Sequence, residues 1–155
     1  MGAGLLLLAA CITPPAVREA GTDTMLLHLL PPGSEDVALE VEPGVRIRGV
    51  FVPAEPGAPV VLHLLGSGGS VSYDYMTALF WSLRDRGFSS LALDYRGVGH
   101  SDGKRSPRHL RGDARAAFDE AVRRAGAKDR IVVRGTSLGT IAAAGLLEEG
   151  ERPAA

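Results

Sequence analysis

The stretch Arg130-Ile131-Val132-Val133-Arg134-Gly135-Thr136-Ser137-Leu138-Gly139-Thr140-Ile141-Ala142-Ala143-Ala144-Gly145-Leu146-Leu147 decides how this chain folds. The β-branched run Ile131-Val132-Val133 predicts a buried strand, and the Ala-rich run from Thr140 predicts a helix. Between them stands Gly135-Thr136-Ser137-Leu138-Gly139, a G-x-S-x-G pentapeptide. A sharp turn from strand to helix would lift the Ser137 hydroxyl above the end of a sheet. The small residues Gly135 and Gly139 would let strand and helix approach.

Upstream, the same alternation repeats. Pro59-Val60-Val61-Leu62-His63-Leu64-Leu65 is an almost unbroken apolar run closed by Gly66, the pattern of a strand covered on both faces. Met76, Leu79, Phe80 and Leu83 recur at helical spacing between Tyr75 and Arg86, ahead of the strand Phe88 to Asp94. A second helix is expected from Arg108 to Ala125. Before all of these, Val37 to Glu42 and Val45 to Val52 alternate apolar and polar residues around Pro43-Gly44, which reads as a β-hairpin with one buried face. Strand and helix units alternating after a hairpin imply an α/β sandwich with a mostly parallel sheet and right-handed crossovers.

A second G-x-S-x-G, Gly99-His100-Ser101-Asp102-Gly103, follows a strand through a loop and leads into Lys104-Arg105-Ser106-Pro107 rather than a helix. Ser101 is therefore read as a loop residue. Neighbouring His, Ser and Asp side chains do not form a triad, because adjacent residues seldom aim at one another. His63 is expected in the core, and His28 in a packing role within the patch Met25 to Leu30. Only His100 and His109 come from a loop closing over the sheet end that carries Ser137, and of these His100 is the one arguable base. Ser67, in the turn Gly66-Ser67-Gly68-Gly69-Ser70, and Leu138 are the expected backbone donors for an oxyanion.

The 155 residues carry a net charge of −1, which excludes a whole-chain field that would attract nucleic acid. The run Lys104 to Arg115 is the one locally basic stretch, and a solvated loop and helix start accounts for it better than an anion site. Cys11 is the only cysteine, so an intrachain disulfide and a Cys-rich metal site are both excluded. It follows the short apolar run Leu5-Leu6-Leu7-Leu8-Ala9-Ala10, as a secretory signal approaches its cleavage site. Three regions are expected: a signal segment over 1–11, a Pro-rich tether over 12–35, and a folded domain over 36–155.

Three motifs in order give these patterns a family likeness. Leu65-Gly66-Ser67-Gly68-Gly69 resembles the oxyanion loop of α/β-hydrolases, Asp94-Tyr95-Arg96-Gly97-Val98-Gly99-His100-Ser101-Asp102-Gly103 is similar to their Asp-x-Arg-Gly-x-Gly-x-Ser loop, and Gly135 to Gly139 resembles their nucleophile elbow. The serine aminopeptidase-like and lysophospholipase-like branch is nearest, since Asp113-Ala114-Arg115-Ala116-Ala117 has a counterpart there. Leu65 departs from the pattern, standing where the family has His. Leu8-Ala9-Ala10-Cys11 likewise resembles the lipobox of bacterial lipoproteins, which implies lipidation at Cys11 and an exported, membrane-anchored protein; a secreted or cytoplasmic location is the alternative.

The resemblance implies an α/β-hydrolase-like sheet with helices on both faces, truncated after the elbow helix. It implies hydrolysis of a small-molecule ester, thioester or peptide through an acyl-enzyme on Ser137, without metal or organic cofactor and without nucleic acid as partner. In the family the acid and the His follow the nucleophile. The 18 residues after Ser137 contain neither Asp nor His. The chain is thus expected to be an incomplete serine hydrolase, inactive by itself, whose cut sheet edge invites self-association. The competing expectation is a non-catalytic lipoprotein half-domain that serves as a binding or interaction module.

Overall fold

A computed structural model describes residues 27–151 together with 153 and 154; the expected signal segment, Cys11 and the first part of the tether lie outside them. The hairpin forms as the alternation requires. Strands β1 (Glu35–Glu42) and β2 (Val45–Val52) pair antiparallel, with Val37 opposite Gly49 and Leu39 opposite Ile47. The apolar runs become β3 (Val60–Leu64), β4 (Ser89–Leu93) and β5 (Ile131–Gly135). Every residue of β3 and β4 is buried, as expected of central strands covered on both sides.

The five strands lie in the order β1-β2-β4-β3-β5. β3 is parallel to both β4 and β5, whereas β2 is antiparallel to β1 and to β4. Only β2 therefore runs against the others, and the sheet is mixed at its hairpin side and parallel where the serine turn leaves it. Helices cover both faces, as the sequence implied. Helix α1 (Asp74–Arg84) buries Met76 and Phe80 against Val50, Val52 and Ala92 on one face. On the other, α2 (Leu110–Ala125) and α3 (Leu138–Glu148) bury Phe118, Ala121, Ala142 and Leu146 against Leu62, Leu64, Leu91 and Ile131.

Two boundaries differ from the sequence reading. The helix expected from Arg108 begins at Leu110, because Pro107–His109 forms a 3-10 turn that leads into it. The expected tether does not stay apart from the domain over its last residues. Leu27–Leu29 forms a 3-10 turn, Leu30 is buried beside Val50, Met76 and Phe80, and Trp81 Nε1 donates to the Leu29 carbonyl at 2.9 Å. His28, expected to pack within that patch, is instead exposed.

Candidate active site

Ser137 lies between β5 and α3 with φ 51° and ψ −115°. Among the described residues it is the only non-glycine residue with positive φ. Such backbone costs of order 1–3 kcal/mol and persists only where its surroundings fix it. They do so here from both sides. Thr136 N–H donates to the Leu64 carbonyl at 3.0 Å, tying the turn to β3, while the N–H and Oγ1 of Thr140 donate to the Ser137 carbonyl at 2.9 and 2.6 Å. Ser137 itself is exposed.

The glycines around it are required by close approach. A Cβ on Gly139 would lie 1.9 Å from the Leu64 carbonyl oxygen, and one on Gly135 would lie 2.8 Å from that of Gly139. No side chain fits either gap, so the first turn of α3 rests directly on the ends of β3 and β5. The N–H of Leu138, in that first turn, is among the helix donors that have no acceptor within the helix.

Ser67 and Leu138, read from sequence as a donor pair, line one cleft together with Tyr95, Val98, Pro107 and Leu110. Its wall is largely apolar. The turn carrying Ser67 closes through Gly69 N–H to the Gly66 carbonyl at 3.0 Å, and it lies against the serine turn: a Cβ on Gly66 would stand 3.4 Å from Ser137 Cβ.

The second pentapeptide is built differently. Ser101 is 9% exposed; its Oγ donates to the Asp94 carbonyl at 2.6 Å and accepts from Arg48 N–H at 2.8 Å. Asp102 accepts from Arg46 N–H at 3.1 Å. These bonds pin the loop after β4 onto β2 and leave Ser101 no free hydroxyl to attack with. Arg96, in the same loop, is buried and donates through Nε to Asp113 Oδ1 at 2.6 Å, while its Nη1 reaches Glu42 and His109.

The histidines are dispersed. His63 is buried with its ring edge-on to Phe80, centroids 5.8 Å apart. His109 Nδ1 lies 2.9 Å from Arg96 Nη1, and His100 Nε2 is buried without a hydrogen-bond partner among the described residues. None of these three is hydrogen-bonded to Ser137, and no described group of His, Cys, Asp or Glu side chains is arranged to hold a metal ion.

Sequence reasoning named Asp94, which directly follows β4, only as the first residue of a motif loop and gave it no role of its own. It is 1% exposed, and its carboxylate accepts from Ser70 Oγ at 3.0 Å and Val71 N–H at 2.9 Å. Burial pushes this carboxyl up to about 6, against the opposing pull of Val71, Ser70 and His100. The visible signal was an acid directly after Leu91-Ala92-Leu93; its partners, more than 20 residues upstream, carried none.

A hairpin feeding a parallel sheet, helices on both faces and a strained serine between strand and helix define an α/β-hydrolase. The chain belongs to the serine aminopeptidase S33 family, which residues 58–155 match. It is 36% identical over 121 residues to an uncharacterized protein of Mycobacterium tuberculosis, covering 74% of this chain and 41% of that one. It is 35% identical over 89 residues to the lysophosphatidylserine lipase ABHD12 of Danio rerio, covering 57% of this chain and 23% of that protein. Among solved structures, the Pyrococcus furiosus esterase Pf2001 superposes with a TM-score of 0.67 at 26% identity, over 84% of this chain and 52% of the esterase. The chain spans about two fifths of the length of the first curated relatives it matches.

Proposed function

We propose that the protein is a serine hydrolase that cleaves an ester, thioester or peptide bond through an acyl-enzyme, with Ser137 as nucleophile. The observation that carries this reading is the strained, exposed Ser137 turn beside a cleft lined by both Ser67 and Leu138. Ser137 Oγ attacks the acyl carbon and gives up its proton to a base. The carbonyl oxygen takes the negative charge and is held by the N–H groups of Ser67 and Leu138, an arrangement worth about 2.7–4 kcal/mol per donor in comparable sites. Collapse expels the leaving group with a proton, and water then releases the acid and restores the serine.

A serine hydroxyl needs an activating base within about 3 Å. No described histidine is hydrogen-bonded to Ser137, so the activity belongs to the whole protein, with acid and His supplied from outside residues 27–154. An esterase and a lipase among the relatives, together with the apolar cleft wall, favour an acyl ester as the first substrate class to assay. Lipidation at Cys11 would hold the enzyme at a membrane, and replacing Cys11 by Ser is expected to release it to the soluble fraction. The test of the activity is aryl-ester hydrolysis by the whole protein. Ser137→Ala is expected to lower the rate by about 10³-fold or more with folding unchanged; a Ser137→Ala protein that keeps its rate contradicts the proposal.

A further inference from the structure

The carboxylate of Asp94 stands where two loops of the cleft meet. Its acceptors serve Ser70 Oγ and Val71 N–H, at the far end of the loop that begins Gly66-Ser67. The near end of that loop rests on the serine turn, since a Cβ on Gly66 would lie 3.3 Å from the Thr136 carbonyl and 3.4 Å from Ser137 Cβ. Ser67 is thus suspended between two anchors. Across the carboxylate lies Gly99, where a Cβ would stand 1.9 Å from Asp94 Oδ2. The loop after β4, whose Tyr95 and Val98 line the cleft, is therefore seated on the same group.

We propose that Asp94 is a positioning residue for the oxyanion site: by holding Ser70 and Val71 it sets the Ser67 N–H relative to Ser137. This rests on the proposed role of Ser137. A buried carboxylate satisfied by neutral donors is an expensive way to fix a loop, because its charge is poorly solvated there. Burial raises the Asp94 carboxyl accordingly. Groups held against such a cost gather at functional sites. A donor displaced by about 1 Å forfeits on the order of a hundredfold in rate, so the anchor matters to catalysis although it touches no substrate.

The experiment uses the whole protein and an aryl ester, with rates expressed per active site titrated to completion by a fluorophosphonate. In Asp94→Ala, kcat per site is expected to fall about tenfold to a hundredfold, with KM changing by a smaller factor because the oxyanion contact is made fully only in the transition state. Asp94→Asn keeps an acceptor for Val71 N–H and is expected to recover part of the loss. Ser70→Ala is expected to lower kcat in the same sense by a smaller factor. Unchanged kcat per site in Asp94→Ala overturns the inference, as does a rise in KM with kcat preserved. Should Asp94→Ala fail to fold, Ser70→Ala decides by the same reading. A wild-type protein that takes no fluorophosphonate overturns the role of Ser137 and this inference together, whereas a labelled wild type with unaffected variants overturns this inference alone.

Discussion

His63 and Asp94 are both buried ionisable residues, and they respond to pH with opposite signs. Burial, with the Arg134 guanidinium as second cause, pushes the His63 imidazole down to about 3, far below its ordinary 6.5. The unfolded chain therefore takes up a proton as pH falls below about 6.5 while the folded one does not, and stability is lost progressively through that window. Asp94 has its folded value near 6, above the ordinary 3.8, so its contribution is fully present below about 4 and is lost as pH rises through about 6. Replacing His63 by Leu is expected to leave a protein that gains on the order of 2 kcal/mol relative to wild type between about pH 7 and about pH 4.5. Urea unfolding midpoints at the two pH values measure it, and parallel pH dependence in the two proteins contradicts it. The sequence pattern of β3 marked His63 as a core residue, since it interrupts an apolar run without breaking it. The sequence placed Asp94 at the end of a strand and the start of a motif loop but not its partners, because Ser70 and Val71 reach it only in three dimensions.

Helix α2 is locked to the hairpin and to the loop after β4 by Arg96, whose guanidinium bridges Asp113 and Glu42. Asp113 is 2% exposed, so removing the cation strands a buried carboxylate. Arg96→Ala is expected to cost about 3 kcal/mol or more, read as a drop in urea midpoint, and a loss below about 1 kcal/mol contradicts a buried role for this pair. Strands and helices were legible wherever burial imposed a pattern: β3 as an almost continuous apolar run, β1 and β2 as alternation, α1 from Met76, Leu79, Phe80 and Leu83. Boundaries were legible less often. Pro107 tightened the entry to α2 into a 3-10 turn, and residues 27–30 were read as part of a tether because the Trp81 contact to Leu29 spans 52 residues. The strand–Gly135–Ser137–Gly139–helix sequence was the most informative element, since a close approach of 1.9 Å at Gly139 admits no other residue.

Across the whole molecule, the sheet brings Ser67 at the end of β3 and Leu138 after β5 to one side of the same cleft because β3 and β5 are adjacent and parallel. That convergence is what a pairwise reading of the sequence anticipated from motif order. Among the described residues β5 is the last strand on its side, with Ala154 N–H already donating to the Ile131 carbonyl at 2.7 Å. Val132 and Val133 are only half-buried there. We propose self-association along that edge, expected to appear as concentration-dependent mass in solution; a mass independent of concentration contradicts it. The most direct test of the central proposal is to react the whole protein with a fluorophosphonate and map the modified residue by mass spectrometry. The expected result is a single adduct on Ser137, formed as its Oγ displaces fluoride and absent from Ser137→Ala; an adduct on another serine, or hydrolytic activity with no adduct at all, contradicts it.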